Sequence, residues 1–308
     1  MTESIKISVM IPTYNCAEYL AKTLKSVLEQ DLGEGLMEIQ IVDDFSTDNV
    51  EQVVKEFGNG RVTFYKQTNN VGHIKNFETA LKRAKGEIIH LLHGDDYVLP
   101  DFYDEMLKMY EANPNIGACY CRHFFVDEDN NIIDISELRE RENSVFTDFH
   151  KILIHGQKIQ TPSITVRKEV YDAVGYFNPK LTWTEDWEMW VRISSKYPIG
   201  YIRRPLACYR MHSKSSTGAK NLNGENINDL LRIKELFRIY VKEKGESGKL
   251  ERSFRNIIYE NASRNYIVSQ KAEHKKAYRH LLTMANNAPG YYEAIILLIK
   301  YFLKRHGY

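Results

Sequence analysis

GEIIHLLHGDDYVLPD, residues 86–101, opens with an apolar run over 88–92 and breaks off at His93-Gly94-Asp95-Asp96. A short apolar run bounded by turn residues reads as a buried strand, and here the acids gather where the chain leaves it. Working back from it, Ile74, Phe77, Leu81 and Ala84 recur at helical spacing, preceded by the turn-forming Asn69-Asn70-Val71-Gly72 and a strand over 62–66. Before these come a helix over 48–57, with Ser46, Thr47 and Asp48 as candidate caps, and a strand over 37–42 that ends in Asp43-Asp44. At the start of the chain Ile5, Ile7, Val9 and Ile11 alternate around Met10, a strand that Pro12 is expected to stop. Asn15 then caps a helix with Leu20, Leu24, Val27 and Leu28 on one face, Glu18 completing a capping-box arrangement. Strand and helix alternate through four strands, which predicts an α/β fold with a parallel, doubly wound sheet and right-handed crossovers.

Tyr14 and Asn15, Asp43 and Asp44, residues 69–75 and residues 93–96 all follow strand ends. They therefore share the carboxyl edge, where open parallel sheets bind ligands, and one site is expected there. Asp95-Asp96, with Gly94 allowing close approach, offers the oxygen ligands that Mg2+ or Mn2+ shares with substrate phosphates. The competing reading is a turn before the helix begun by Pro100, where acids are favoured by the dipole. A carboxylate of Asp43-Asp44 can accept a hydrogen bond from a pyrimidine imide while Tyr14 stacks on the base, or the pair can serve only the capping turn. Lys75 either pairs with a diphosphate or is solvated.

Downstream, a strand is read over 117–126 and a polar excursion over 127–143. All three tryptophans, Trp183, Trp187 and Trp190, fall at i, i+4 and i+7, one face of a helix that begins near Thr184 with Thr182 or Thr184 as cap. Glu185-Asp186 opens that helix. Acids there are either dipole-stabilised decoration or, beside rings that wall a sugar site, a base in dry surroundings. His212, in YRMH, is a metal or phosphate ligand or a structural hydrogen-bonding residue. Residues 213–224 (SKSSTGAKNLNG) read as a mobile loop, and 226–308 as helical.

The 308 residues carry 42 Lys and Arg against 41 Asp and Glu, a net charge of +1, and 43% are hydrophobic. Such a chain has material for a large core and lacks the concentrated positive charge of a general nucleic-acid binder. No run approaches a membrane span and the N-terminus has no secretory pattern, so a cytoplasmic location is expected. Four cysteines without paired CxxC spacing read as reduced thiols.

Taken in order, SVMIPTYN, IVDDFSTD, NNVGHIKNFETAL, GEIIHLLHGDDYVLPD, GYFNPKLTWTEDWEMWVRI and YRMHSKSS resemble the signatures of the inverting family 2 glycosyltransferases with the GT-A fold. The resemblance covers roughly residues 5–216. It implies a Rossmann-like, mostly parallel sheet flanked by helices, with a catalytic domain over 1–216, divided into a nucleotide-binding half (1–100) and an acceptor-side half (101–216). A C-terminal helical region over 217–308 follows. It further implies a nucleoside-diphosphate sugar donor, of UDP or dTDP type, and a glycan or lipid-linked acceptor. Pro12, Tyr14 and Asp44 would surround the base, Lys75 would lie near the nucleotide, and Asp95 would bind Mn2+ or Mg2+. Asp186 would be the catalytic base and His212 a ligand near metal and diphosphate. Two departures stand out: His93 replaces the first acid of the DxDD form, and Phe45 replaces the frequent Gly after the paired acids. The KNFE segment resembles a subgroup found among bacterial surface-polysaccharide transferases. A nucleotidyltransferase and a non-catalytic glycan-binding or nucleotide-sugar-binding module are the alternatives.

The last stretch sets Tyr292, Ile295, Ile296, Ile299, Phe302 and Leu303 on one helical face, flanked by Lys300, Lys304, Arg305 and His306. A basic amphipathic helix of this kind either lies in an anionic membrane interface, at the inner face of the membrane, or docks on protein.

Overall fold

The computed structural model describes residues 5–212, 220–221, 224–241 and 244–272, with single helical positions at 280, 283, 284, 286, 287, 296 and 299. The chain divides into two compact units, each discontinuous in sequence. Most of the segment expected to be a mobile loop, and nearly all of the C-terminal amphipathic stretch, lie outside the described residues.

The first unit comprises Met1–His150, Lys158–Pro179 and Met189–Met211 and holds a ten-stranded sheet. Its first half is the alternation read from the sequence: β1 (Ile7–Thr13), α1 (Ala17–Leu28), β2 (Met37–Asp43), α2 (Val50–Phe57), β3 (Thr63–Lys66), α3 (His73–Arg83) and β4 (Ile88–Leu91). These strands lie parallel in the order β3-β2-β1-β4. The chain thus builds outward from β1 and then returns to place β4 on its other side, which makes the β1/β4 boundary a topological switch point. Strands β1 and β2 are buried almost throughout, which explains why their sequences are near-continuous apolar runs.

The second half of the sheet is mixed. After β5 (Tyr97–Val98) and α4 (Phe102–Ala112) come β6 (Ala118–Val126), β7 (Ile132–Ile135) and β8 (Ser144–Phe146), then α5 (His150–Leu153), β9 (Ile164–Arg167), α6 (Lys168–Val174), α7 (Glu185–Ser194) and β10 (Ile199–Arg210). β9 inserts antiparallel between β4 and β6, and β10 runs parallel to β6 and antiparallel to β5 and β8. The excursion over 127–143 contains β7, paired with β6 as a short antiparallel strand.

Several local expectations are corrected. Pro12 does not stop β1, which continues to Thr13 in register with Asp43. Its carbonyl accepts from the Gly94 N–H, beyond the end of β4, where a residue without a donor is tolerated at the close of the ladder. Asn15 does not cap α1, whose N-cap is Cys16. Trp183 precedes α7 instead of sharing its face, and the Thr184 hydroxyl has no hydrogen-bond partner among the described residues, so it makes no cap there.

The second unit comprises Lys151–Gln157, Lys180–Glu188 and His212–Tyr308, including α8 (Glu225–Phe237) and α9 (Lys244–Ala272). Its core is aromatic. Trp187 stacks on Phe254 with ring centroids 5.6 Å apart and meets Phe237 edge-on at 5.4 Å, while its Nε1 donates to the Leu153 carbonyl at 2.7 Å. Leu250, Phe254, Ile258 and Ala262 recur every fourth residue along α9 and are all buried. Trp187 is therefore a core residue, and Trp190, in the first unit, is equally buried against Phe177. The sugar-binding wall expected of these two rings is overturned by that burial. Phe254→Ala is expected to destabilise the protein by about 3–5 kcal/mol, because it empties the space beneath Trp187. Denaturant unfolding at constant slope measures it.

Candidate active site

The parallel register of Thr13 with Asp43 sets the loops after β1 and β2 side by side, and each loop caps the other. Asn15, at φ 49°, accepts the Thr47 N–H on its Oδ1 at 2.8 Å, and Ser46 Oγ accepts the Asn15 N–H at 2.9 Å. Asp48 Oδ2 accepts the N–H of Ala17, the first residue of α1, at 2.8 Å. Asp48, expected to cap the helix after it, thus serves the start of α1, while Asn15 holds the loop that leads to α2. Tyr14 stands at the tip of this arrangement with 52% of its surface exposed, free to present a ring face to a planar ligand.

The paired acids are both buried and differ in task. Asp43 accepts from Thr13 Oγ1 at 3.1 Å and from the Ser46 N–H at 3.0 Å, and Lys66 Nζ lies 3.8 Å away. Asp44 accepts the Val71 and Gly72 N–H groups at 2.7 and 3.0 Å and so anchors the turn that launches α3. Burial raises its carboxyl above the usual range. A base contact at Asp44 must share oxygens that already hold this turn. Phe45 follows at φ 63°, the left-handed conformation in which glycine is unstrained, at a cost of about 1–2 kcal/mol for an L side chain. A glycine at this position would be free of that strain. Lys75 projects from the first turn of α3, exposed and without an ion pair among the described residues.

At the end of β4, His93, Asp95 and Asp96 each offer one ligand atom, all within 4.8 Å of one another. Two carboxylates and an imidazole suit a divalent cation, and the nitrogen donor favours Mn2+ over Mg2+. His93, which the sequence presents as a gap in the acidic motif, places a third possible ligand atom there. Its ring is held by stacking on Phe77, centroids 5.0 Å apart at 17°. Asp96 is buried, its carboxyl raised by desolvation and then by the charge of Asp95, with Oδ1 accepting the Arg210 N–H at 2.8 Å. Gly94 permits the turn, since a Cβ there would lie 2.7 Å from both Cys16 Sγ and Thr13 Cγ2. The Thr23 hydroxyl, from α1, reaches the Gly94 and Asp96 carbonyls at 3.0 and 2.7 Å. Pro12 serves this site through its carbonyl on Gly94, from a buried position inside β1.

Arg210 was not a sequence candidate, yet it is the keystone of this loop. It is 3% exposed and donates to the carbonyls of Asp95, Asp127 and Glu128 and to Asn130 Oδ1, at 2.8 to 3.1 Å. Its position in YRMH was the available signal, overshadowed by the adjacent His212. A buried arginine with its donors spent on backbone carbonyls fixes the shape of the loop that carries Asp95.

In the second unit, Asp186 opens α7. Gln157 Nε2 donates to its Oδ2 and the Trp187 N–H to its Oδ1, both at 2.6 Å. Desolvation, followed by the neighbouring Glu185 charge, pushes its carboxyl up to about 8. A carboxyl in that range is a stronger proton acceptor than an exposed aspartate once ionised. The segment ahead of it is pinned by Asp229 of α8, whose Oδ2 accepts the Thr182 and Trp183 N–H groups at 2.6 and 2.7 Å, and by Lys220 on the Thr182 carbonyl. His212 belongs to this unit and lies two residues after the end of β10.

Residues 8–175 match the sequence profile of Glycosyl transferase family 2. An uncharacterised glycosyltransferase of Rickettsia prowazekii is 25% identical over 312 residues, covering 98% of this chain and 92% of its own. Chondroitin synthase of Escherichia coli is 24% identical over 247 residues, 77% of this chain and 33% of that one. Among solved structures, S. aureus TarS 1-349 in complex with UDP-GlcNAc superposes with a TM-score of 0.68 at 19% identity, over 92% of this chain and 82% of that one. The mannosyltransferase PcManGT from Pyrobaculum calidifontis, in complex with GDP-Man and Mn2+, gives 0.57 at 19% identity, over 98% and 87%. These structures share the GT-A fold with this chain, and the profile match over more than half its length shows that it belongs to glycosyl transferase family 2.

Proposed function

We propose that this chain moves a sugar from a nucleoside-diphosphate sugar to an acceptor hydroxyl with inversion, in the synthesis of a bacterial surface polysaccharide or glycoconjugate. The observation that carries the reading is the convergence of His93, Asp95 and Asp96 beside the β1/β4 switch point, where a sheet of this topology receives its ligand. Tyr14 stacks on the base, Asp44 completes the base contact from the turn it holds, and Lys75 pairs with the diphosphate. Asp95 is the main acidic ligand, with His93, Asp96 and His212 as the remaining protein donors. A divalent cation bound there offsets the charge that builds on the departing diphosphate. Asp186 takes the proton of the acceptor hydroxyl, which is a poor nucleophile until it is relieved of it.

TarS binds UDP-GlcNAc and UDP, and PcManGT binds GDP-Man, so the donor test spans bases. The protein is incubated with Mn2+ and, separately, UDP-, dTDP- and GDP-sugars, with UDP or dTDP favoured. Release of free nucleoside diphosphate, lost on chelation, supports the proposal. Pyrophosphate would identify a nucleotidyltransferase, and saturable donor binding without turnover a binding module.

We also place the activity on the cytoplasmic side, with a glycan or lipid-linked acceptor and the 292–306 stretch in contact with anionic lipid. Among the described residues no helix is long and apolar enough to cross a membrane. Full-length protein is expected to float with anionic liposomes at low salt, and truncation after Gly290 to release it still folded. Absence of flotation would remove the membrane contact.

A further inference from the structure

We propose that Gln157 is a positioning residue for the reaction, favouring the ionised form of the Asp186 carboxylate and fixing its orientation for proton abstraction. The inference rests on the assignment of Asp186 as base. Gln157 ends the Lys151–Gln157 segment, which joins the second unit although both its flanks belong to the first. That segment is tied down along its length. Leu153 and Ile154 are buried, the Leu153 carbonyl accepts Trp187 Nε1 at 2.7 Å, and His155 Nδ1 lies 3.1 Å from Ser253 Oγ of α9. These anchors bring the Gln157 amide 2.6 Å from Asp186 Oδ2. The sequence carries no motif at this position.

The chemistry follows from what else faces Asp186. Glu185, beside it on α7, opposes ionisation, as does the burial that dominates its environment. The Trp187 N–H on Oδ1, the Gln157 amide on Oδ2 and the Asp186 backbone N–H favour the charged form, and among these the Gln157 amide is the side-chain donor. Lys220 and Asp229 act on the neighbouring 182–183 backbone, and Lys220 is coupled to Glu185 instead of forming a bond with Asp186. A neutral amide is suited to this task. It donates to the carboxylate without neutralising it, whereas a lysine or arginine would lower its proton affinity too far for a base.

The test compares pH profiles of kcat/KM at saturating Mn2+ for the full-length wild type, Gln157→Leu and Gln157→Glu, with Asp186→Asn as reference. Losing a donor to the charged form raises the pKa. The acidic limb is therefore expected to move up by about one pH unit in Gln157→Leu, a tenfold loss of kcat/KM below the limb. It moves further in Gln157→Glu, where a third carboxyl joins the pair. Nucleotide binding by calorimetry and the circular dichroism spectrum stay as in wild type, which identifies any variant that has failed to fold. An unmoved limb in the folded variants, with Asp186→Asn inactive, overturns the role of Gln157 and leaves Asp186 as base. Activity retained by Asp186→Asn overturns both. A purely structural glutamine would lower the rate at every pH without displacing the limb.

Discussion

Asp186→Asn is expected to lower turnover by about 10²- to 10⁴-fold, the range typical for loss of a general base, while leaving nucleotide binding intact. The amide keeps the shape of the side chain, and Gln157 can turn its own amide end for end to offer its oxygen in place of its N–H. The same substitution is expected to stabilise the fold. Asp186 has a folded pKa raised to about 8, above its unfolded value, so its contribution to stability is fully present below the unfolded value and is lost as pH rises towards and through 8. An asparagine has no proton to lose. The variant should therefore melt above the wild type at pH 8 and close to it at pH 4, a gap read directly from thermal scans. A base held in desolvated surroundings has this signature, in which the chemistry is gained at the expense of stability. Near-wild-type turnover with acceptor dependence intact would remove Asp186 from the mechanism.

The sequence made the first half of the sheet legible because β1, β2 and β4 are short apolar runs ended by turn residues, and because each is followed by a helical period. It did not reveal β9. The ITVR segment is too short to show a period, and its antiparallel place between β4 and β6 depends on partners distant in sequence. β10 was hidden by Pro205, around which the pairing with β6 shifts register. The tryptophan pattern was read as one helical face, yet spacing alone does not say what that face meets. Trp187 meets Phe254 and Phe237, which lie on helices α9 and α8. In the metal loop the acids were visible because carboxylates at a strand end are conspicuous. His93 stands where the acidic motif has its first carboxylate, and its spacing from Asp95 and Asp96 is already that of the motif. Asp229 and Gln157 carried no signal of their own, and Arg210 only its place in YRMH, since each acts by hydrogen bonds to backbone or side chains remote in sequence.

Asp95→Ala is expected to abolish chelator-sensitive transfer and to weaken nucleoside diphosphate binding in the presence of Mn2+ by about 10²-fold or more. Loss of an outer-shell partner alone typically costs 10- to 100-fold in metal affinity, and Asp95 is assigned as a ligand itself. The loop should survive the change. Its shape is set by the Gly94 turn, by Thr23 on two carbonyls, by Arg210 on the Asp95 carbonyl and by the Asp96 carboxylate, none of which needs the Asp95 side chain. Burial, the larger cause of the raised Asp96 carboxyl, persists in the variant, while the added push from the Asp95 charge is removed, so Asp96 ionises more readily than in wild type. The other proposed donors, His93, Asp96 and His212, are then left one carboxylate poorer, and binding of Mn2+ should persist only at much higher concentration. Calorimetry with Mn2+ and each accepted nucleoside diphosphate, set against an unchanged melting curve in the absence of metal, separates loss of the ligand from loss of the loop. Wild-type affinity in the variant would move the cation away from the end of β4 and, with it, the donor diphosphate.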